Sequence, residues 1–68
     1  MKFKIGDRVR VIERDLFGGC EGHVCEIPGE EGWAGSYLVD LYKGNDRITQ
    51  EECDMYLVYF NDVDLELI

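Results

Sequence analysis

The stretch Ser36-Tyr37-Leu38-Val39-Asp40-Leu41-Tyr42 places Tyr37, Val39 and Leu41 on one face and Leu38, Asp40 and Tyr42 on the other. A period of two is the side-chain repeat of an extended chain, so the segment reads as a strand with an inner and an outer face. Upstream, His23-Val24-Cys25-Glu26-Ile27 reads as a second short strand, bracketed by Gly18-Gly19, Gly22 and Pro28-Gly29. Glycine and proline punctuate a chain here, and Gly32 and Gly35 keep the following loop irregular. Further upstream, Arg8-Val9-Arg10-Val11-Ile12-Glu13 alternates and is rich in β-branched residues, with the Gly6-Asp7 turn before it and Phe3 and Ile5 as an apolar lead-in. Downstream, Lys43-Gly44-Asn45-Asp46 is turn chemistry, and Met55 to Phe60 is a strand by composition. Val63-Asp64-Leu65-Glu66-Leu67 then alternates strictly, its three apolar residues on one face.

Five short strands in 68 residues, without an amphipathic helix of useful length, predict one all-β domain over residues 1–68. Thr49 followed by Glu52 matches a capping box, so at most one short helical turn is expected there. A chain this short buries only about 60% of the surface its unfolded form exposes, which leaves little interior for an enclosed active site. A small barrel would remove the exposed edges of an open five-stranded sheet. The first strand carries Arg8 and Arg10 on its outer face and the last carries Asp64 and Glu66. Opposite charges across a strand pair attract, so the two ends of the chain are expected to pair antiparallel and close the barrel.

The segment Phe3-Lys4-Ile5-Gly6-Asp7-Arg8-Val9-Arg10-Val11 resembles the opening strand of SH3-like barrels, including KOW-type domains. Gly19 and Gly22-His23-Val24 resemble the G-x-x-G-x-V turn and strand of that group, and Tyr37-Leu38-Val39 its central Y-x-V strand. Phe60 with Asp64-Leu65-Glu66-Leu67-Ile68 resembles the closing strand, which in these domains follows a tight 3₁₀ turn. The resemblance spans Phe3 to Ile68 and implies a small five-stranded SH3-like barrel. Such domains bind RNA, ribosomal proteins, polymerases, proline-rich peptides or redox partners, and fold alone does not choose among these. The Ala-Leu-Tyr-Asp-Tyr signature of signalling SH3 domains is absent, which argues against a PxxP ligand.

Charge narrows the field. The net charge is −8 and lopsided: residues 1–14 hold five bases against two acids, and residues 15–68 hold Lys43 and Arg47 against thirteen acids. After Gln50 there are six acids and no base. Such a surface repels phosphate backbones and anionic membranes and attracts basic partners. The N-terminus lacks the apolar region of a secretory signal, and no run approaches the length of a membrane span. Cys20, Cys25 and Cys53 form an odd set, read as free thiols of a cytoplasmic protein.

Cys20, His23, Cys25 and Cys53 are the candidate metal ligands, since three thiolates and an imidazole would satisfy tetrahedral zinc. Their C-x2-H-x-C spacing is not a standard knuckle, and Cys53 lies in a different loop, so the expectation is no metal and no cofactor. His23 and Cys25 share a strand face, but nothing is placed to orient the imidazole, and no catalytic residue is assigned. Phe17 and Trp33 sit in the loops after the first and second strands, where an exposed aromatic marks a contact surface and a folded-back one caps the barrel. With Tyr42, Tyr56 and the acids Glu51, Glu52 and Asp54, they are the candidate partner-binding residues. Leu38, Tyr42, Tyr56 and Val58 lie opposite the assigned core positions and make a weak homodimer the alternative to a monomer.

The sequence therefore reads as a non-catalytic protein-interaction or accessory module of bacterial or phage type, with a basic protein as partner. Two alternatives stand beside it: an acidic nucleic-acid mimic that inhibits a DNA- or RNA-binding protein, and a small zinc-binding or redox domain. Glu30 and Glu31 belong to the same acidic set.

Overall fold

Alternation becomes burial along much of the chain, although Leu67, expected on the inner face, is exposed. The structure is a computed structural model that describes residues 2–12, 16–29 and 35–68. Its elements are β1 (Arg8–Val11), β2 (Glu21–Glu26), β3 (Ser36–Lys43), α1 (Gln50–Cys53), β4 (Leu57–Asn61), a 3₁₀ turn (Asp62–Asp64) and β5 (Leu65–Leu67). Val9 and Val11 of β1, Val24 of β2, Tyr37, Val39 and Leu41 of β3, Phe60 of β4 and Leu65 of β5 turn inward and are buried. Phe3, Cys20, Ile48 and Cys53 complete the same cluster. Each fully buried Val, Leu or Phe contributes roughly 1.5–3 kcal/mol of transfer free energy. The Tyr37 hydroxyl accepts from the Phe3 and Lys2 amides at 3.3 and 3.1 Å, so a buried tyrosine anchors the N-terminal lead-in. Ile5, expected to pack beside Phe3, is instead exposed.

The five strands form one antiparallel sheet in the order β4-β3-β2-β1-β5. It is all-β, as expected, with α1 as a single turn. It is not a closed barrel, because β4 and β5 end the order and no ladder joins them. The 3₁₀ turn redirects the chain from one to the other, and the Ile12 amide donates to the Asp64 carbonyl at 2.8 Å to tie that turn to β1. Val63 consequently sits exposed in the turn rather than in a strand, and only Leu65–Leu67 of the expected closing strand is extended.

Register decides the charge pairing between the chain ends. β1 and β5 do pair antiparallel, with Arg10 opposite Glu66, and Arg10 Nη1 lies 3.1 Å from Glu66 Oε1. The same register carries Arg8 past Asp64: the Ile68 amide donates to the Arg8 carbonyl, while Asp64 belongs to the turn. Arg8 turns to β3 instead, where its Nε donates to the Tyr42 hydroxyl at 3.1 Å. Glu21 of β2 completes the matched set, 3.5 Å from Arg10 and 3.7 Å from Lys43.

Two glycines are required by this geometry. Gly19 has φ +89, a conformation costly for any residue with a Cβ. A Cβ on Gly22 would lie 2.5 Å from the Asp40 carbonyl oxygen and 2.6 Å from Val39, so β2 and β3 approach too closely there for a side chain.

Candidate functional site

Thr49 begins the region that holds most of the candidate residues. Its hydroxyl accepts from the Glu52 amide at 3.1 Å, and the Glu52 carboxylate accepts from the Thr49 amide at 3.3 Å, a reciprocal cap. The cap supports a turn too short to be stable alone. Cys53 faces inward and is fully buried, whereas Glu51 and Asp54 face solvent. Glu52, expected at the contact surface, is committed to the cap. The Met55 and Tyr56 amides donate to the Glu52 and Cys53 carbonyls at 3.0 and 3.1 Å, which ends the turn and delivers both side chains outward.

Tyr56 meets the loop between β1 and β2. Its ring packs edge-on against Phe17 with centroids 6.5 Å apart, and Phe17 packs edge-on against Phe60 at 5.8 Å. Phe17 is thus half-buried and seals one end of the core beside Tyr56. Asn45 locks the two loops together. Its side-chain amide donates to the Leu16 and Gly18 carbonyls at 3.0 and 2.6 Å, and its Oδ1 accepts from the Arg47 and Ile48 amides at 2.8 and 2.7 Å. Sequence reasoning saw Asn45 only as turn chemistry. The local Asx pattern was visible, but its long-range partners were not.

Strand β4 continues the surface. Val58 and Phe60 turn toward the core, and Leu57 and Tyr59 turn outward, paired across β3 with Asp40 and Leu38. Exposure is high for Met55 (80%), Leu57 (60%), Tyr56 (45%) and Tyr59 (40%). Leu57 and Met55 were not singled out from sequence, although for Leu57 the alternation Leu57/Val58/Tyr59/Phe60 carried the signal. The reverse error concerns Val58 and Leu38. Val58 packs on the core, and Leu38 is buried between its partners Glu26 and Tyr59, so neither supplies the apolar dimer face expected of them. The Tyr59 hydroxyl donates to Glu26 at 3.4 Å, and partial burial and that carboxylate both raise its pKa.

Tyr42 stands apart from Phe17 and Tyr56. Its ring meets the His23 ring at a tilt of 41° with centroids 4.9 Å apart, and its hydroxyl accepts from Arg8, so it belongs to the charge-matched outer face of β1–β3. Trp33, Glu30 and Glu31 lie outside the described residues.

The four possible metal ligands divide between the two faces of the sheet. Cys20 and Cys53 are in the core, while His23 and Cys25 lie on the outer face of β2. Among the described residues, no group of three or more His, Cys, Asp or Glu is placed to hold a metal ion. Cys25 Sγ donates to the His23 carbonyl at 3.7 Å rather than meeting the imidazole. Burial, then Asp40, pushes the Cys25 thiol up, and burial above all pushes Cys53 up. A raised thiol pKa disfavours the nucleophilic thiolate.

An open depression of about 430 Å³ lies at the other end of the sheet, lined by Lys2, Phe3, Lys4, Asp7, Ile27 and Leu67. Lys2 Nζ there donates to the Asp62 carbonyl at 3.2 Å. No helix among the described residues is long and apolar enough to cross a membrane. Set against known proteins, the chain matches no family model, no curated protein and no solved structure.

Proposed function

We propose that this chain is a non-catalytic interaction module of the SH3-like, KOW-type group that docks a basic protein through the surface running from Phe17 across Tyr56 to β4. Support for the fold relation comes from the 3₁₀ turn before the last strand, which the sequence resemblance implies, and from the pairing of β1 with β5 that the charge pattern led us to expect. One observation carries the functional reading. The segment from Met55 to Tyr59 exposes Met55, Tyr56, Leu57 and Tyr59, and the chain from Ile48 to Ile68 contains six acids without one base. Exposed aromatics supply contact area, and uncompensated carboxylates select and steer a cationic partner. A reducing cytoplasm suits its three free thiols.

The test is capture of proteins from a bacterial lysate on the immobilised chain, beside a variant carrying Tyr56→Ala, Glu51→Lys and Asp54→Lys. The expected result is a basic protein held by the unaltered chain, released as salt rises and lost from the variant. Identical captured sets would contradict the reading. Release by added DNA, with the partner itself a DNA-binding protein, would favour nucleic-acid mimicry over simple docking.

A further inference from the structure

Lys2, Phe3 and Lys4 set an exposed cation on either side of a buried ring in the chain. Together with Asp7, Ile27 and Leu67 they line the open depression of about 430 Å³. That volume lies in the range of small-molecule sites, roughly 300–1,000 Å³, which are mostly apolar with a few polar groups that fix orientation. The floor is held in place. The Tyr37 hydroxyl accepts from the Lys2 and Phe3 amides, and the Tyr37 ring meets Phe3 edge-on with centroids 5.3 Å apart. Ile27 packs against the core, and Leu67, 63% exposed, adds an apolar wall open to solvent. The rim is held as well: the Asp7 amide donates to the Lys4 carbonyl and the Lys4 amide to the Asp7 carboxylate, both at 3.0 Å.

Charge and hydrogen-bond capacity decide what fits. The lining carries two lysines against one carboxylate, and that carboxylate is engaged by the Lys4 amide. Among the described residues, neither lysine forms an ion pair. Lys2 Nζ gives one hydrogen bond to the Asp62 carbonyl and lies 5.3 Å from the Phe3 ring centroid, so most of its donor capacity remains. The backbone amides of Lys2, Phe3, Lys4 and Asp7 all donate within the chain. A peptide laid here would find none of these amides for its carbonyls. An anion on an alkyl chain needs none of them: the ammonium groups meet its charge, and Phe3, Ile27 and Leu67 meet its tail.

We propose that this depression binds a medium-chain alkyl carboxylate, its carboxylate at Lys2 and Lys4 and its chain against Phe3, Ile27 and Leu67. The site is separate from the acidic docking surface, takes a ligand of the opposite charge and does not rest on that reading. Each methylene buried against such a wall raises affinity by up to about fourfold, so chain length is read directly in the dissociation constant.

The probe is octanoate, kept below the concentration at which it aggregates, with acetate and octanol as controls. Acetate shares its carboxylate and octanol its chain. A titration of the intact chain followed by amide chemical shifts should show octanoate binding at least about tenfold more tightly than either control, with the shifts centred on residues 2–7, Ile27 and Leu67. Lys4→Met, at an exposed position, should weaken octanoate roughly threefold or more and leave octanol unchanged. Leu67→Ser, also exposed, should weaken octanoate and octanol alike and leave acetate unchanged. Equal affinity for octanoate and acetate would overturn the apolar wall, and equal affinity for octanoate and octanol would overturn the role of the lysines. Shifts centred on Met55 to Tyr59 instead would place the ligand on the other surface and overturn the site, as would the absence of binding by all three.

Discussion

The outer face over β1, β2 and β5 matches its charges, and the region from α1 through β4 does not. On the first, Arg10 sits between Glu21 and Glu66, Lys43 reaches Glu21, and Arg8 is held by Tyr42. On the second, Glu51, Asp54 and Asp62 face solvent beside exposed Met55, Tyr56 and Leu57. The net charge of −8 is therefore not a uniform coat. On the sheet's outer face Glu21 and Glu66 have basic neighbours. Among the described residues Glu51, Asp54 and Asp62 form no ion pair and lie close in the chain to exposed Met55, Tyr56 and Leu57, and that coincidence is the ground for the proposed docking surface.

The largest expected effect breaks the matched half at its tightest point. Gly22→Ala forces a Cβ into the Asp40 carbonyl and Val39, and overpacking of this kind costs about 1–3 kcal/mol. Chemical denaturation should show that loss with the partner surface unaltered in kind. Next is Thr49→Ala, which removes the cap that positions Glu51, Asp54 and Tyr56; loss of such a cap costs about 1 kcal/mol. Unlike Gly22→Ala, it should also raise hydrogen exchange selectively at Cys53 to Tyr56.

Smaller still is Arg10→Glu. The pair with Glu66 is exposed, and such pairs contribute about 0.2–1 kcal/mol. Adding Glu66→Arg should restore only part of the loss, because Glu21 also lies beside position 10. The mildest effect concerns pH. Burial raises the Cys53 thiol above its unfolded value, so the folded chain keeps that proton after the unfolded chain has released it. Stability should be flat below the unfolded thiol pKa of about 8.5 and decline as pH rises through the folded value. Cys53→Ser should flatten that decline in a pH series of melting curves, after allowance for the lost packing.

Much of the sheet was legible because period-two alternation maps directly onto burial. Val9, Val11, Tyr37, Val39 and Leu41 were placed inward by spacing alone, and the Thr49–Glu52 cap by its local pattern. Register was less legible. Arg8 and Asp64 share the charge pattern of Arg10 and Glu66, yet the 3₁₀ turn consumes Asp64 and the pairing carries Arg8 opposite Ile68. An alternating sequence does not mark where a turn interrupts it, which is why Val63 was assigned to a strand. At the candidate site, Phe17 was legible as a loop aromatic and Tyr56 as an aromatic of the fourth strand segment, but their contact was not. It depends on Asn45 tying together loops far apart in the chain. Tyr42 was grouped with them by residue type, and its outward side on β3 separates it.

The central claim is that recognition belongs to the unmatched surface at β4 and α1. The most direct measurement compares partner retention by two charge-altered chains. One carries Tyr56→Ala with Glu51→Lys and Asp54→Lys, and the other carries Arg10→Glu with Glu66→Arg. The account predicts that the first loses the partner held by the unaltered chain and the second keeps it. Loss from the Arg10/Glu66 chain with retention by the other would place recognition on the charge-matched face and contradict the account.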